Sequence, residues 1–301
     1  MELKTKISSL KLKNPLILAS GIMDETAGSI KKIYESGASA AVTKSIGIKP
    51  RKGYPNPTFV ELKHGILNCM GLPSPGIEEY KEEMEKLSKY NIPTIASIYG
   101  ANSDEFVILA EKMEEYGAYA IELNLSCPHA KSYGLELGSK PEIVKKIIRE
   151  IKQNIDIPIF AKLSPNLTDI KNISRHAEKA GADAIVAINT VKAMKIDINL
   201  KTPVLSNKIG GYSGEAIKPI GIRNVYEIYK TVDIPVIGVG GITKGEDVIE
   251  YLMAGANAVQ IGTAIYQREL NVFKKINDEI KRWMKKNNVQ KISELIGVAH
   301  K

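Results

Sequence analysis

One cysteine in this chain stands where its thiol could do acid–base chemistry. The stretch NLSCPH, residues 124–129, follows an apolar segment and places Cys127 in a loop that continues through Gly134 and Gly138, which could act as a lid. A thiol has an unperturbed pKa of about 8.5, so it can act as a general base or a general acid. The alternative is burial as a small apolar side chain, and the loop position argues against it. His129 need not face Cys127, because both lie on irregular backbone.

Two glycine-rich turns could bind a phosphate group. The sequence GVGGIT at residues 238–243 and the sequence GTA at residues 262–264 each follow an apolar segment and precede a helical pattern. Glycines let backbone N–H groups approach an anion, and a helix N-terminus adds positive potential. The pair of turns predicts a ligand that carries a phosphate.

Two lysines, Lys44 and Lys162, end apolar segments. A lysine at the end of a buried strand is costly unless it faces an anion or an electron-rich ring, so the pair indicates a polyanionic or reducible ligand. The alternative is that each lysine pairs with a nearby carboxylate. We expect Glu122 to point away from the site, so this alternative explains one lysine more easily than both.

Three asparagines, Asn68, Asn124 and Asn189, also lie in or next to these segments, with Thr190 following Asn189. An asparagine side chain offers two donors and one acceptor, which matches the alternating N–H and C=O edge of a cyclic imide or a flavin pyrimidine. A turn explains one such asparagine more easily than three.

Eight short apolar strands are predicted to position these residues. Their openings alternate between proline and Gly-Ala, and they begin at Pro15, Gly37, Pro93, Gly117, Pro158, Gly181, Pro235 and Gly255. Helical patterns lie between strands, as at residues 104–116, 142–154, 169–180 and 246–254. Eight such units predict an α/β fold, a single (β/α)₈ TIM barrel whose site lies at the carboxyl ends of the strands.

The segments outside this repeat predict a plug and three insertions. Short alternating segments on either side of Ser8 and Ser9 predict an N-terminal β-hairpin at the bottom of the barrel. Long segments follow strands 2, 4 and 6, at residues 45–77, 126–140 and 191–218. All three insertions are expected on the carboxyl rim, where they would build and cover a site.

Size and composition favour one domain, residues 1–301. The net charge of +8 is spread over helices that also carry Asp and Glu, so we expect a solvated surface and no nucleic-acid partner. No apolar segment is long enough to span a membrane, and we expect a cytoplasmic protein. Two cysteines exclude a disulfide framework or a cysteine-ligated cluster within the chain, and the spacing of the histidines predicts no metal site.

Taken together, the motifs resemble class 1 dihydroorotate dehydrogenases, and class 1B most closely. They run in order along nearly the whole chain: ASG at 19, TKS at 43, NxxGLxxPG at 68, NLSCP at 124, AKLSPN at 161, NT at 189, GGYSG at 210, GVGG at 238 and IGTA at 261. The resemblance implies an FMN-containing barrel that oxidises (S)-dihydroorotate to orotate in pyrimidine (UMP) biosynthesis. Cys127 would remove the C5 proton as C6 gives its hydride to FMN.

The resemblance also assigns binding residues. Substrate would be held by Lys44, Asn68, Cys69, Met70, Gly71, Leu72, Asn124, Asn189 and Thr190. The position of Cys69 in a tight loop, taken alone, indicates a buried small residue. FMN would be held by Ser20, Gly21, Lys44, Ser45, Ser97, Asn124, Lys162, Ile188, Gly214, Gly240, Gly241, Gly262 and Thr263. Ser74, Ser97 and Glu215 depart from the usual family residues, and Ser74 is expected to weaken one substrate hydrogen bond.

Class 1B implies a homodimer core that joins a separate subunit carrying FAD and a 2Fe-2S cluster, as a heterotetramer that passes electrons to NAD. Class 1A, a homodimer that reduces fumarate, is the alternative. Other candidates are a dihydropyrimidine dehydrogenase-like subunit, a tRNA dihydrouridine synthase, which usually has glycine where Ser126 stands, and a non-catalytic phosphate-binding barrel.

Overall fold

The structure, a computed structural model of the chain, describes residues 1–126 and 135–301. Numbered along the chain, its strands are β1 (Thr5–Ile7), β2 (Leu10–Leu12), β3 (Leu16–Leu18), β4 (Ala40–Val42), β5 (Phe59–Leu62), β6 (Gly65–Asn68), β7 (Thr94–Ile98), β8 (Ala120–Asn124), β9 (Ile159–Leu163), β10 (Ala184–Ala187), β11 (Val191–Met194), β12 (Ile196–Asp197), β13 (Thr202–Pro203), β14 (Ile209–Ser213), β15 (Val236–Val239) and β16 (Ala256–Ile261). Its α-helices are α1 (Ala27–Glu35), α2 (Ile77–Lys89), α3 (Ser103–Glu115), α4 (Leu135–Gly138), α5 (Pro141–Lys152), α6 (Ile170–Lys179), α7 (Lys218–Tyr229), α8 (Gly245–Met253), α9 (Ala264–Arg268) and α10 (Val272–Lys286).

Eight parallel strands close into a barrel in the order β3-β4-β7-β8-β9-β10-β15-β16, and β16 pairs with β3. The eight predicted strand openings each precede one of these strands. The four Gly-Ala openings share one backbone feature, because their glycines all have φ between +89° and +116°. Residues other than glycine rarely adopt this backbone conformation, so glycine ends each preceding helix and turns the chain into the next strand. The predicted TIM barrel is confirmed.

The helices cover the outside of the barrel with one apolar face each. In α5, for example, Val144, Ile147, Ile148 and Ile151 are buried, a spacing that places them on one side of the helix. The predicted helices at 104–116 and 246–254 are observed one residue earlier, as α3 and α8. In the part of the chain that the structure describes, no helix has the length and apolarity needed to cross a membrane.

The lower half of the barrel interior is apolar. Hairpin residues Ile7, Leu10 and Leu12 of β1 and β2 pack in one buried cluster with strand residues that include Ile17 and Phe160. The hairpin therefore fills the end of the barrel that the amino ends of the strands surround, as the sequence predicted. With this end closed, a ligand can enter the interior only from the carboxyl rim.

The rim carries a second sheet that the sequence analysis did not predict. The insertions after β4 and β10 supply four antiparallel strands in the order β11-β14-β6-β5. Strand β6 ends at Asn68 and β14 ends at Ser213, so this sheet brings the two insertions together over the barrel mouth. The insertion after β8 begins at Ser126, and its residues 127–134 lie outside the described residues.

Candidate active site

A cavity of about 710 Å³ opens at the carboxyl rim of the barrel. Loops that follow β3, β4, β10, β15 and β16 line it together with the rim sheet. Most of the predicted site residues meet here: Ser20, Gly21, Lys44, Ser45, Asn68, Met70, Gly71, Leu72, Asn124, Lys162, Ile188, Asn189, Thr190, Gly214, Gly240, Gly241, Gly262 and Thr263. Residues separated by more than 200 positions in the chain therefore share one cavity.

Two predicted site residues are placed away from the cavity, and a third is not among the described residues. Cys69 is fully buried and packs with Leu67 and Leu205, and it is not among the residues that line the cavity. Ser97 is also fully buried, and its hydroxyl lies 2.7 Å from that of Ser45, which does line the cavity. Cys127 lies outside the described residues, as do Pro128, His129 and Gly134, so its role stays a prediction.

Lys162 lies at the floor of the cavity in a ring of hydrogen bonds. Its Nζ donates to Glu122 Oε1 at 3.0 Å and to Gln260 Oε1 at 3.3 Å, and Gln260 Nε2 donates to Glu122 Oε2 at 2.5 Å. Glu122 is fully buried, and the other two side chains are nearly so. The expectation that Glu122 points away from the site is wrong. Residues two apart on a strand share one side, so Glu122 faces inward with Asn124.

Lys44, the other rim lysine, forms a salt bridge with Glu25, which also lines the cavity. Both lysines therefore have a carboxylate partner, and the expectation that a carboxylate accounts for one more easily than both is wrong. The two environments nevertheless differ, because Glu25 is 66% exposed whereas Glu122 is fully buried. Water screens the Lys44 pair and not the Lys162 pair, so only Lys162 has a partner fixed in the barrel interior.

A chain of side-chain hydrogen bonds connects two of the predicted asparagines. Asn124 Nδ2 donates to Ser45 Oγ at 3.0 Å, and Asn124 Oδ1 accepts from Ser126 Oγ at 3.1 Å. Asn189 Nδ2 in turn donates to the same Ser126 hydroxyl at 2.8 Å. Because Ser126 fixes both amides, their orientation is set before any ligand binds. Asn68 reaches the cavity separately, from the end of β6 in the rim sheet.

The glycine turns after β15 and β16 present unpaired donors. Among the hydrogen bonds of the described residues, none is donated by the backbone N–H groups of Gly240, Gly241, Gly262 or Thr263. These four residues line one end of the cavity, and Gly240 and Gly241 have φ of +121° and +70°. Adjacent free N–H groups on such backbone favour an anion. The arrangement fits the predicted phosphate site.

Asp247, in α8, holds the first of these turns in place. Its Oδ2 accepts the backbone N–H groups of Thr243 and Lys244 at 2.8 and 3.0 Å, and its Oδ1 accepts from Lys218 Nζ at 2.8 Å. Burial alone would raise the pKa of Asp247, but the Lys218 ammonium and the two N–H groups outweigh it, and the pKa is lowered. The turn is therefore braced by a charged carboxylate.

Asp24 and Gln260 line the cavity although the sequence analysis did not select them. Asp24 accepts the Gly21 N–H at 2.6 Å and the Ser20 hydroxyl at 3.2 Å, so it shapes the turn after β3. Burial raises its pKa, and the Gly21 hydrogen bond and Lys44 offset this only in part. Strand periodicity could have found Gln260, since it lies two residues beyond the inward-facing Ala258.

Comparison with known proteins agrees with this geometry. A family model described as dihydroorotate dehydrogenase matches residues 2–284. The chain belongs to the dihydroorotate dehydrogenase family. Relatives named "Dihydroorotate dehydrogenase B (NAD(+)), catalytic subunit" are 52% identical in Pyrococcus abyssi and 51% identical in Methanocaldococcus jannaschii, covering 99% of this chain and 98–99% of theirs. The predicted resemblance to class 1B dihydroorotate dehydrogenases is confirmed.

A solved structure extends the likeness to the fold. A dihydroorotate dehydrogenase from Eimeria tenella, solved in complex with ferulenol, matches this chain with a TM-score of 0.85 at 23% identity. The match covers 99% of this chain and 89% of the other. At this identity the likeness supports the barrel and its rim additions alone, and the site rests on the residues described above.

Membership of the dihydroorotate dehydrogenase family implies FMN, and the cavity fits such a molecule. The free N–H groups suit its phosphate. Lys162 lies at the cavity floor, where its ammonium group would contact the FMN ring. The residues that would hold it are therefore present on the strands and turns, and they are ordered by contacts within the protein itself.

Proposed function

We propose that this chain is the FMN-binding catalytic subunit of a dihydroorotate dehydrogenase, an enzyme that oxidises (S)-dihydroorotate to orotate in pyrimidine (UMP) biosynthesis. The observation that carries the proposal is that one cavity at the rim joins an anion cradle, a buried lysine and a set of oriented amides. Relatives about half identical over the whole length carry the same activity in their names.

The chain would orient both molecules from fixed positions. Gly240, Gly241, Gly262 and Thr263 would hold the FMN phosphate through their backbone N–H groups, and Lys162 would donate to the ring. When bound, FMN supplies the acceptor for the hydride that leaves C6 of dihydroorotate. The amides of Asn68, Asn124 and Asn189 would bind the substrate ring by its alternating donors and acceptors, and Lys44 its carboxylate.

The C5 proton of the substrate needs a base, and we assign this role to Cys127. A thiolate removes the proton as the C5–C6 double bond forms and becomes a thiol. The described residues on either side of Cys127 lie close together, because Gly138 of α4 packs directly against the carbonyl of Leu125, the residue after β8. The base would therefore stand next to Asn124 and Ser126, which orient the substrate amide contacts.

The test of this assignment is the rate of flavin reduction after rapid mixing with dihydroorotate under anaerobic conditions. Cys127→Ala should slow reduction by about 10²–10⁴-fold, the usual contribution of a general base. Cys69→Ala removes the other thiol, whose side chain packs away from the cavity, and should leave the rate within a few-fold of the parent. Equal rates for Cys127→Ala and the parent would reject Cys127 as the base.

We also propose that electrons leave through a separate subunit that carries FAD and a 2Fe-2S cluster and passes them to NAD, in a cytoplasmic heterotetramer built on a homodimer of this chain. Two features support this. The chain has no dinucleotide-binding fingerprint of its own. It also exposes several large aliphatic side chains after β10, with Ile198 82% and Leu200 74% exposed, as is common in chains that assemble.

The acceptor proposal is tested by adding NAD⁺ or fumarate to the dihydroorotate-reduced chain. Neither should restore the oxidised flavin spectrum quickly, and NAD⁺ should do so once the partner subunit is added. Rapid reoxidation by fumarate alone would favour the class 1A alternative.

A further inference from the structure

The hydrogen-bonded ring of Glu122, Lys162 and Gln260 has a geometry that neither substrate binding nor hydride transfer accounts for. Strands β8 and β16 are four places apart in either direction around the eight-stranded barrel, yet Glu122 and Gln260 meet across the interior at 2.5 Å. Lysine from β9 closes the ring. Three strands therefore contribute to one polar cluster at the floor of the cavity.

Every polar atom of Glu122 and the amide of Gln260 has a partner in the ring. One carboxylate oxygen of Glu122 accepts from Lys162 and the other from Gln260, while the Gln260 oxygen accepts from Lys162. A lysine ammonium has three N–H donors. Two of the three stay inside the ring, so one is directed elsewhere, and Lys162 lines the cavity whereas Glu122 does not.

The charges of the ring also balance. Glu122 is fully buried and Lys162 is 5% exposed, so neither charge is screened by water as a surface pair would be. A bound ring at the cavity floor would meet a donor whose positive charge is largely cancelled by a carboxylate directly behind it. Removing that carboxylate would leave a net positive charge there, which favours addition of electrons to a neighbouring group.

We propose that Glu122 and Gln260 are positioning residues that direct the third N–H of Lys162 into the cavity, and that Glu122 lowers the reduction potential of the bound FMN by balancing the charge of Lys162. The inference rests on the proposed function, because it requires FMN in this cavity. Glu122 would thus help to set the driving force of flavin reduction, although its side chain does not line the cavity.

The test is the midpoint potential of FMN in the purified holoenzyme, measured against a reference dye without substrate. Glu122→Gln should shift the potential to more positive values by at least about 30 mV, which is a tenfold change in the two-electron equilibrium constant. The matched control Gln260→Met breaks the ring without changing its charge, so its potential should shift much less while its FMN affinity falls. No shift in Glu122→Gln, or an equal shift in Gln260→Met, would overturn the proposal.

A further variant covers the case in which Glu122→Gln does not fold. The double variant Glu122→Gln/Lys162→Gln removes both charges. If it folds where the single variant does not, Lys162 requires Glu122 as its counter-charge, as proposed. Failure of both would make the ring purely structural and overturn the proposal. A parent chain that cannot bind FMN would instead reject the proposed function itself.

Discussion

The two halves of the barrel interior are built on the same strands and differ in chemistry. Ala120, Phe160 and Ala258 belong to the apolar cluster of the lower half. Two residues later on each strand stand Glu122, Lys162 and Gln260, which form the polar ring of the upper half. Two residues correspond to about 6.6 Å along a strand, so the interior changes from apolar to ionic within one layer of side chains.

This difference separates stability from ligand binding. Below, apolar side chains fill the space and close the barrel with the hairpin, and nothing there can hold a polar molecule. Above, each buried charge requires a partner, and the side chains that supply partners also line the cavity. Changes in the lower half should therefore alter stability without altering FMN affinity, whereas changes in the upper half should alter FMN affinity directly.

The largest effect is expected from Ile7→Ala in the hairpin. Ile7 is fully buried, so the variant should lose about 2–5 kcal/mol of the free energy of unfolding, the usual cost of removing such a side chain. Urea unfolding measures this loss. FMN affinity, titrated where the variant is still folded, should equal that of the parent. A weaker FMN affinity there would contradict the separation of the two halves.

A smaller effect is expected in the anion cradle. A methyl group at Gly262 would lie no closer than 3.6 Å to another protein atom, so Gly262→Ala should keep the stability of the parent. It should nevertheless weaken FMN binding about tenfold, or about 1.4 kcal/mol, by crowding the phosphate. Gly241→Ala is the contrast, because its φ is +70° and its methyl would lie 2.6 Å from Lys218 Cβ, so it should lose stability as well. Unchanged FMN affinity in Gly262→Ala, measured by flavin fluorescence, would place the phosphate elsewhere.

The smallest effect concerns two rim aspartates with opposite pKa shifts. The lowered pKa of Asp247 means that its contribution to stability is present above the unfolded value near 3.8 and is lost as pH falls through the folded pKa. The raised pKa of Asp24 has the opposite sign, so the contribution of this group falls as pH rises from near 3.8 through its folded pKa. The stability of the parent relative to Asp247→Asn should thus rise with pH, and relative to Asp24→Asn should fall. Slopes of the same sign, from unfolding curves between about pH 3 and 7, would contradict this.

Local signals in the sequence predicted the barrel but not all of its upper half. Glycine and proline mark the strand openings, and alternation marks the hairpin, because these features depend on the backbone of a few neighbouring residues. The rim sheet joins segments that are more than 100 residues apart in the chain, so no local sequence pattern predicts it. Glu122 was assigned the wrong direction because its partners lie on β9 and β16, although the inward position of Asn124 already fixed its side.

The central claim is that the rim cavity binds FMN and oxidises dihydroorotate, and an anaerobic titration of the purified chain tests it most directly. The visible flavin band is followed as dihydroorotate is added. One equivalent of dihydroorotate should bleach about one equivalent of FMN, with orotate as the product. A flavin that binds but stays oxidised would contradict dihydroorotate as the donor, and a chain that fails to bind added FMN would contradict the assignment of the cavity.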